Sequence, residues 1–220
     1  MMKGFDFMTK KERVDLLLEL MDKEYPEVKC SLNYSNPLEM LIATQLSAQC
    51  TDARVNIVTE ELFKRYKTAE DYANANISEL QDYIRSAGFY KNKSKNIISC
   101  CQRIIDVYNG QVPDTMEDLL TLAGTGRKTA NLVLGDIFGQ PAVVVDTHCI
   151  RLTNRIGLTK NKEPEKIEAE LKKIIPPERQ LKLCHQFVYH GRAICTARSP
   201  QCDSCPIRPA CKMVGIKSKS

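Results

Sequence analysis

No stretch of this 220-residue sequence approaches the roughly 18 consecutive apolar residues of a membrane-spanning helix, and the opening MMKGFDFMTK holds no apolar run long enough for a secretory signal. Those absences predict a protein without membrane association, retained inside the cell. Period-two alternation of apolar and polar residues is absent too, which argues against a half-buried sheet. The single β-branched run, Ala142-Val143-Val144-Val145, is too short to build one. There is no low-complexity tract and no clear internal repeat, so neither a disordered linker nor a solenoid is indicated. Excess charge is slight: 32 Lys and Arg against 27 Asp and Glu leave a formal +5, a mild bias toward an anionic partner. The length suffices for one large or two small domains with a substantial core.

Helical signals occupy most of the chain. Thr9 and Glu12 form a capping box ahead of Val14, Leu16, Leu17, Leu18, Leu20 and Met21. Asn36-Pro37 opens a second helix through Met40, Leu41, Ile42 and Leu46, and Thr51 a third that runs to about Tyr66. Thr68 and Ser78 read as caps of two shorter helices, the second closing at Gly88. Further helices are predicted over Lys93 to Tyr108, Thr115 to Leu122, Arg127 to Phe138, Asp146 to Ile156, Pro164 to Ile175, and Glu178 to about Ile194. The fold class is therefore all-α.

Ten cysteines in a chain without an export signal do not read as a disulfide framework. Cys30, Cys50, Cys100, Cys101, Cys149 and Cys184 are scattered and are expected to be small buried apolar side chains. Cys195, Cys202, Cys205 and Cys211 differ, because they follow C-x6-C-x2-C-x5-C beside Pro200, Pro206 and Pro209. Four thiolates so close in sequence can close around a metal centre, and zinc and a [4Fe–4S] cluster both accept such a set. A structural cross-link near the C-terminus is the expected role.

Leu122-Ala123-Gly124-Thr125-Gly126-Arg127-Lys128-Thr129-Ala130 joins two predicted helices through a Gly-x-Gly turn. Glycines let the backbone bend sharply and approach another surface closely. The amides opening the next helix, with its positive dipole end behind them, make a phosphate seat. Lys91, Lys93, Lys95, Arg127, Arg151 and Arg155 are further candidates for backbone phosphates, which would make affinity fall with salt.

In order along the chain, IATQLSAQCTD, SAGFYKNKSKNI, LAGTGRKTA, VVVDTHCIRLTNRIG and the four-cysteine spacing resemble the endonuclease III family of helix-hairpin-helix glycosylases, from about residue 10 to 212. The resemblance implies two helical lobes with a DNA cleft between them. Residues 30–140 would form a six-helix domain with the helix-hairpin-helix; residues 1–29 plus 141–220 would form the iron–sulfur domain. It also implies [4Fe–4S] rather than zinc on Cys195, Cys202, Cys205 and Cys211, damaged double-stranded DNA as partner, and a monomer. Position by position, Lys128 matches the nucleophile and Asp146 the catalytic carboxylate. Gln49 matches the residue that fills the gap left by an extruded nucleotide, and Phe89 a second wedge where leucine is usual. Gly124, Gly126, Arg127 and Thr129 fall in the DNA-binding hairpin. Other departures are Ala123 for proline, Thr125 for a small aliphatic, and a less basic loop Thr196 to Gln201 that keeps Arg198.

The implied activity is bifunctional: excision of oxidised pyrimidines through a lysine Schiff base, then β-elimination 3′ to the abasic site. An attacking amine must be neutral, and the first helical turn together with partial burial is expected to favour that form. A monofunctional mismatch glycosylase is the nearest rival reading. Its adenine-removing branch has serine at the Lys128 position and a glutamate in the helix spanning Ile42 to Gln49, whereas this chain has no carboxylate between Glu39 and Asp52; its thymine-mismatch branch has tyrosine at the Lys128 position. A non-catalytic, redox-responsive DNA-binding protein and a zinc-stabilised structural module also fit parts of the pattern. Strand cleavage at an abasic site and the colour of the purified protein separate these.

Overall fold

The computed structural model describes residues 8–216. Among these, regular structure is entirely helical. In chain order the α-helices are α1 (Lys10–Glu24), α2 (Pro37–Leu46), α3 (Asp52–Arg65), α4 (Ala69–Ala73), α5 (Ile77–Ile84), α6 (Tyr90–Tyr108), α7 (Met116–Leu120), α8 (Arg127–Asp136), α9 (Thr147–Ile156), α10 (Pro164–Ile174) and α11 (Gln180–Ala193). The all-α expectation holds. Among the described residues, no helix is long and apolar enough to cross a membrane. The chain divides into two compact units, Cys30–Gln140 and Met1–Lys29 with Pro141–Ser220.

In Cys30–Gln140, α2 is the central helix. Asn36 caps it by accepting the Glu39 amide at 3.0 Å, Pro37 occupies its first turn, and every residue from Met40 to Leu46 is buried. A helix apolar on nearly all sides has to be enclosed, and α3, α6 and α8 pack around α2. The longest helix, α6, buries Lys93, Ile97, Cys100, Cys101 and Ile104 along one face and packs on α4 and α5 as well. It begins at Tyr90, earlier than the predicted Lys93, because Phe89 enters it in the left-handed region (φ 50°) without a side-chain cap to announce the start. The cap of α5 is Asn76 rather than Ser78: its carbonyl oxygen accepts the amides of Ser78 and Glu79 at 2.9 and 3.2 Å. Ser78 is thereby placed inside the first turn.

In the other unit, the Thr9–Glu12 capping box starts α1 as predicted, and Val14, Leu17, Leu18 and Met21 are buried. Helix α11 packs against α1 and α9 and carries buried Leu183, Cys184 and Phe187; each such side chain stabilises the unit by about 1.5–3 kcal/mol on removal from water. Helix α11 starts at Gln180, after a short 3-10 turn, Pro177–Arg179, that takes up the first predicted residues. Arg13 is the unexpected core residue. It is 1% exposed, and its guanidinium donates to the Ala210 carbonyl at 2.9 Å, tying α1 to the cysteine-rich segment. Ala142 to Val145 is buried without strand pairing and leads directly into Asp146. Of the six scattered cysteines, Cys100, Cys101, Cys149 and Cys184 are buried, while Cys30 and Cys50 are only half-buried.

Candidate functional site

The Gly-x-Gly hairpin joins α7 to α8. Leu119 and Leu122 before it are buried and anchor it, and the Thr125 amide closes the turn on the Leu122 carbonyl at 3.1 Å. Gly124 has φ 77°, a conformation that L side chains rarely adopt, and a Cβ there would come within 3.0 Å of the Asn96 side chain on α6. Gly126 is the N-cap of α8 and offers no side chain to the first-turn amides. The cap thus supplies no side-chain acceptor there, and the helix dipole at this end favours an anion. Lys128 stands in this first turn and is exposed, while Arg127 is half-buried and Thr129 is buried. The partial burial expected of Lys128 is not observed.

One support of the hairpin is unmarked in the sequence. The buried Gln45 of α2 donates from Nε2 to the Ala123 carbonyl at 3.1 Å and to the Thr125 hydroxyl at 3.2 Å. Thr125, one of the departures from the family pattern, thus supplies a hydrogen-bond partner that an aliphatic residue lacks. Lys93, by sequence a candidate phosphate contact, is instead 7% exposed. Its ammonium donates to the Leu46 carbonyl at 2.8 Å and the Ala87 carbonyl at 3.0 Å. A signal for its burial is present in the sequence. Lys93 lies on the α6 stripe of Ile97, Cys100, Cys101 and Ile104, at spacings of four, seven, eight and eleven.

Gln49 and Phe89 sit in the turns at the two ends of the Lys93 contacts. Both are exposed, Phe89 by 62%, and both have left-handed backbones at φ 55° and 50°. Non-glycine residues in that region cost energy and mark turns whose conformation the surroundings impose.

In the second unit, Asp146 is the N-cap of α9, accepting the Cys149 amide on Oδ1 at 2.7 Å. Capping occupies one carboxylate oxygen of a half-buried side chain. His148 pairs with Arg151 (Nδ1 to Nη2, 3.1 Å) and has a structural place on the helix face. Arg151 and Arg155, predicted as phosphate contacts, turn toward the protein. Arg151 Nε donates to the Cys195 carbonyl at 3.0 Å; Arg155 donates to the carbonyls of Thr196 and Ala197 at 2.7 and 2.8 Å and lies 3.4 Å from Cys195 Sγ.

Cys195, Cys202, Cys205 and Cys211 line one cavity with Ile156 and Ile207 in its wall. Among the described residues, however, no three His, Cys, Asp or Glu side chains converge on a single ion position. Burial first, and then neighbouring Cys211, Cys195 and Cys202, push the Cys205 thiol up to about 11; a bound cationic centre reverses that balance. The sulfurs have supporting donors. His190 Nε2 lies 3.4 Å from Cys205 Sγ while its Nδ1 lies 3.2 Å from the Tyr25 hydroxyl, and the Met213 amide donates to Cys211 Sγ at 3.3 Å. Contacts of this kind orient metal-bound ligands.

Residues 42–177 match the HhH-GPD superfamily of base excision DNA repair proteins, and residues 195–211 match the iron-sulfur binding domain of endonuclease III. The chain is 47% identical over 204 residues to endonuclease III of Synechocystis sp., covering 92% of this chain and 93% of that protein. It is 38% identical over 205 residues to endonuclease III of Escherichia coli, covering 93% and 97%. Among solved structures, a non-covalent endonuclease III–DNA complex and a trapped endonuclease III–DNA covalent intermediate each superpose with a TM-score of 0.89 at 44% identity, covering 94% of this chain and 97% of theirs. A thermostable thymine-DNA glycosylase, at 22% identity and a TM-score of 0.81, shares the fold. With [4Fe–4S] as its cofactor, the chain belongs to the endonuclease III family of helix-hairpin-helix DNA glycosylases and abasic-site lyases of base excision repair.

Proposed function

We propose that this protein acts as a monomer inside the cell on damaged double-stranded DNA, excising oxidised pyrimidines and then nicking the strand 3′ to the abasic site. A lesion within the duplex is out of reach until its nucleotide is rotated out, at a cost of a few kcal/mol. Gln49 and Phe89, exposed on imposed turns, fill the stack and offset part of that cost. The hairpin amides of Gly124 to Thr129 hold a backbone phosphate and fix the register of the protein on the strand.

The neutral amine of Lys128 attacks C1′ of the extruded deoxyribose and displaces the base, whose departing electrons are taken up by a proton. The attached nitrogen, having lost a proton, then uses its lone pair to form C=N as the ring oxygen leaves with the C1′–O4′ electrons and takes up a proton from water, giving a protonated Schiff base and a free C4′ hydroxyl. That cation acidifies the C2′ protons, and abstraction of one expels the 3′ phosphate by β-elimination. Asp146 stabilises positive charge developing on the sugar before the C–N bond to lysine is complete. Cys195, Cys202, Cys205 and Cys211 hold the [4Fe–4S] cluster, which when bound supplies a cross-link in the C-terminal segment rather than a reacting group.

The observation that carries this reading is an exposed lysine in the first turn of a helix whose glycine cap supplies no side-chain acceptor to the neighbouring amides. Borohydride trapping on duplexes bearing an abasic site or an oxidised pyrimidine tests it. Wild type should give a covalent protein–DNA adduct and Lys128→Gln none; undiminished trapping by Lys128→Gln rejects the assignment.

A further inference from the structure

Three turns of the Cys30–Gln140 unit are joined through one seam between α2 and α6. Gln45 of α2 holds the hairpin, and Asn96 of α6 packs against Gly124 within it. One residue further along α2, the Leu46 carbonyl begins the turn that bears Gln49; one turn earlier on α6, Lys93 occupies the seam. The Lys93 ammonium bridges the last carbonyl of α2 and the carbonyl of Ala87, the last residue of the 3-10 turn before Gly88 and Phe89. Helix C-terminal carbonyls are the partners that a cation favours. Burial pushes Lys93 below the ordinary lysine value, so its placement there has a cost that the two hydrogen bonds must offset.

The geometry is specific to the two exposed side chains. Gln49 lies three residues after Leu46 and Phe89 two after Ala87, each in a left-handed conformation that its own residue type disfavours. An ordinary lysine on the buried face of a helix has no reason to reach both turns. We infer that Lys93 is a positioning residue for nucleotide extrusion, a clamp that sets the spacing of the Gln49 and Phe89 turns so that both side chains enter the base stack together. The inference rests on the proposed stack-filling role of Gln49 and Phe89. Its consequence is that loss of the clamp impairs opening of the stack more than the chemistry that follows.

Two measurements test it. Lys93→Met should lower excision of an oxidised pyrimidine by about ten- to a hundred-fold, the range of a misplaced positioning element. Borohydride trapping on a preformed abasic site, which needs far less unstacking, should be little changed. Lys93→Met added to the double variant Gln49→Ala, Phe89→Ala should be scarcely worse than that double variant alone, since coupled residues are non-additive. Equal losses on both substrates, additive losses, or wild-type excision by Lys93→Met would each overturn the inference. If Lys93→Met fails to fold, Lys93→Gln, which keeps a donor for one carbonyl, is judged by the same criteria.

The second measurement is independent of catalysis. The sequence has no tryptophan, so F89W introduces a single reporter at a site exposed enough to accept it. Adding Lys93→Met to F89W should lower the tryptophan anisotropy and increase its quenching by acrylamide. Unchanged anisotropy overturns the clamp even in an active enzyme. A wild type that neither excises nor traps would refute the proposed function instead, and the anisotropy would still decide whether Lys93 holds the turn.

Discussion

Lys93 and Lys128 are the same residue type near the start of two helices, yet one is enclosed by carbonyls and the other stands exposed. What separates them is the face each occupies: Lys93 continues an apolar stripe, and Lys128 follows a glycine cap that points its turn outward. Asp146 shows a second kind of residue-level ambiguity, since it is both a helix cap and the proposed catalytic carboxylate. The two roles separate by substitution. Asparagine caps about as well as aspartate, so Asp146→Asn should melt within a few tenths of a kcal/mol of wild type while losing most excision. Asp146→Ala should lose excision and also about 0.5–2 kcal/mol of stability. Thermal melts read beside single-turnover excision check this; an Asp146→Asn variant of full activity would leave the residue with its cap alone.

At the level of the element, the hairpin is legible from its glycines, and the structure adds what makes it stiff. With Ala123 in place of proline, rigidity comes from the Gln45 amide, bonded to Ala123 and Thr125 from 78 and 80 positions away in sequence. Gln45 Oε1 is buried without a partner, so the side chain is kept for what its Nε2 reaches. Gln45→Met should leave the Ala123 carbonyl and the Thr125 hydroxyl without their donor, costing about 1–3 kcal/mol. Hydrogen exchange should then rise across Ala123 to Gly126, and DNA affinity should fall in a protein that still folds. Unchanged exchange at the hairpin would show that Gln45 is not its support. Elements with their own caps, such as α1 and α2, are placed by sequence to within a residue or two. Helix α6 begins earlier than predicted because Phe89 provides no cap signal.

For the molecule as a whole, several basic residues proposed for DNA turn to the fold instead, and charge counting alone does not distinguish the two. Arg155 is a candidate for phosphate by its charge, but it reaches Cys195, Thr196 and Ala197 and so frames the segment that holds the cluster. Arg155→Met should therefore reduce iron content and the yellow-brown visible absorbance and lower the melting temperature. The slope of DNA affinity against salt, which reports neutralised phosphates, should stay as in wild type. A shallower slope with the cluster intact would return Arg155 to the DNA.

The sequence by itself determined the helical class, most caps, the hairpin turn, the cysteine spacing and the family, because each is written in residues that are neighbours along the chain. Tertiary structure alone decided which charged and polar side chains lie inside. Arg13, Gln45, Lys93, Arg151 and Arg155 all find backbone carbonyls supplied by segments distant in sequence. A polar group is stable away from water only where such partners meet it, and their arrival depends on how the helices pack rather than on any local pattern.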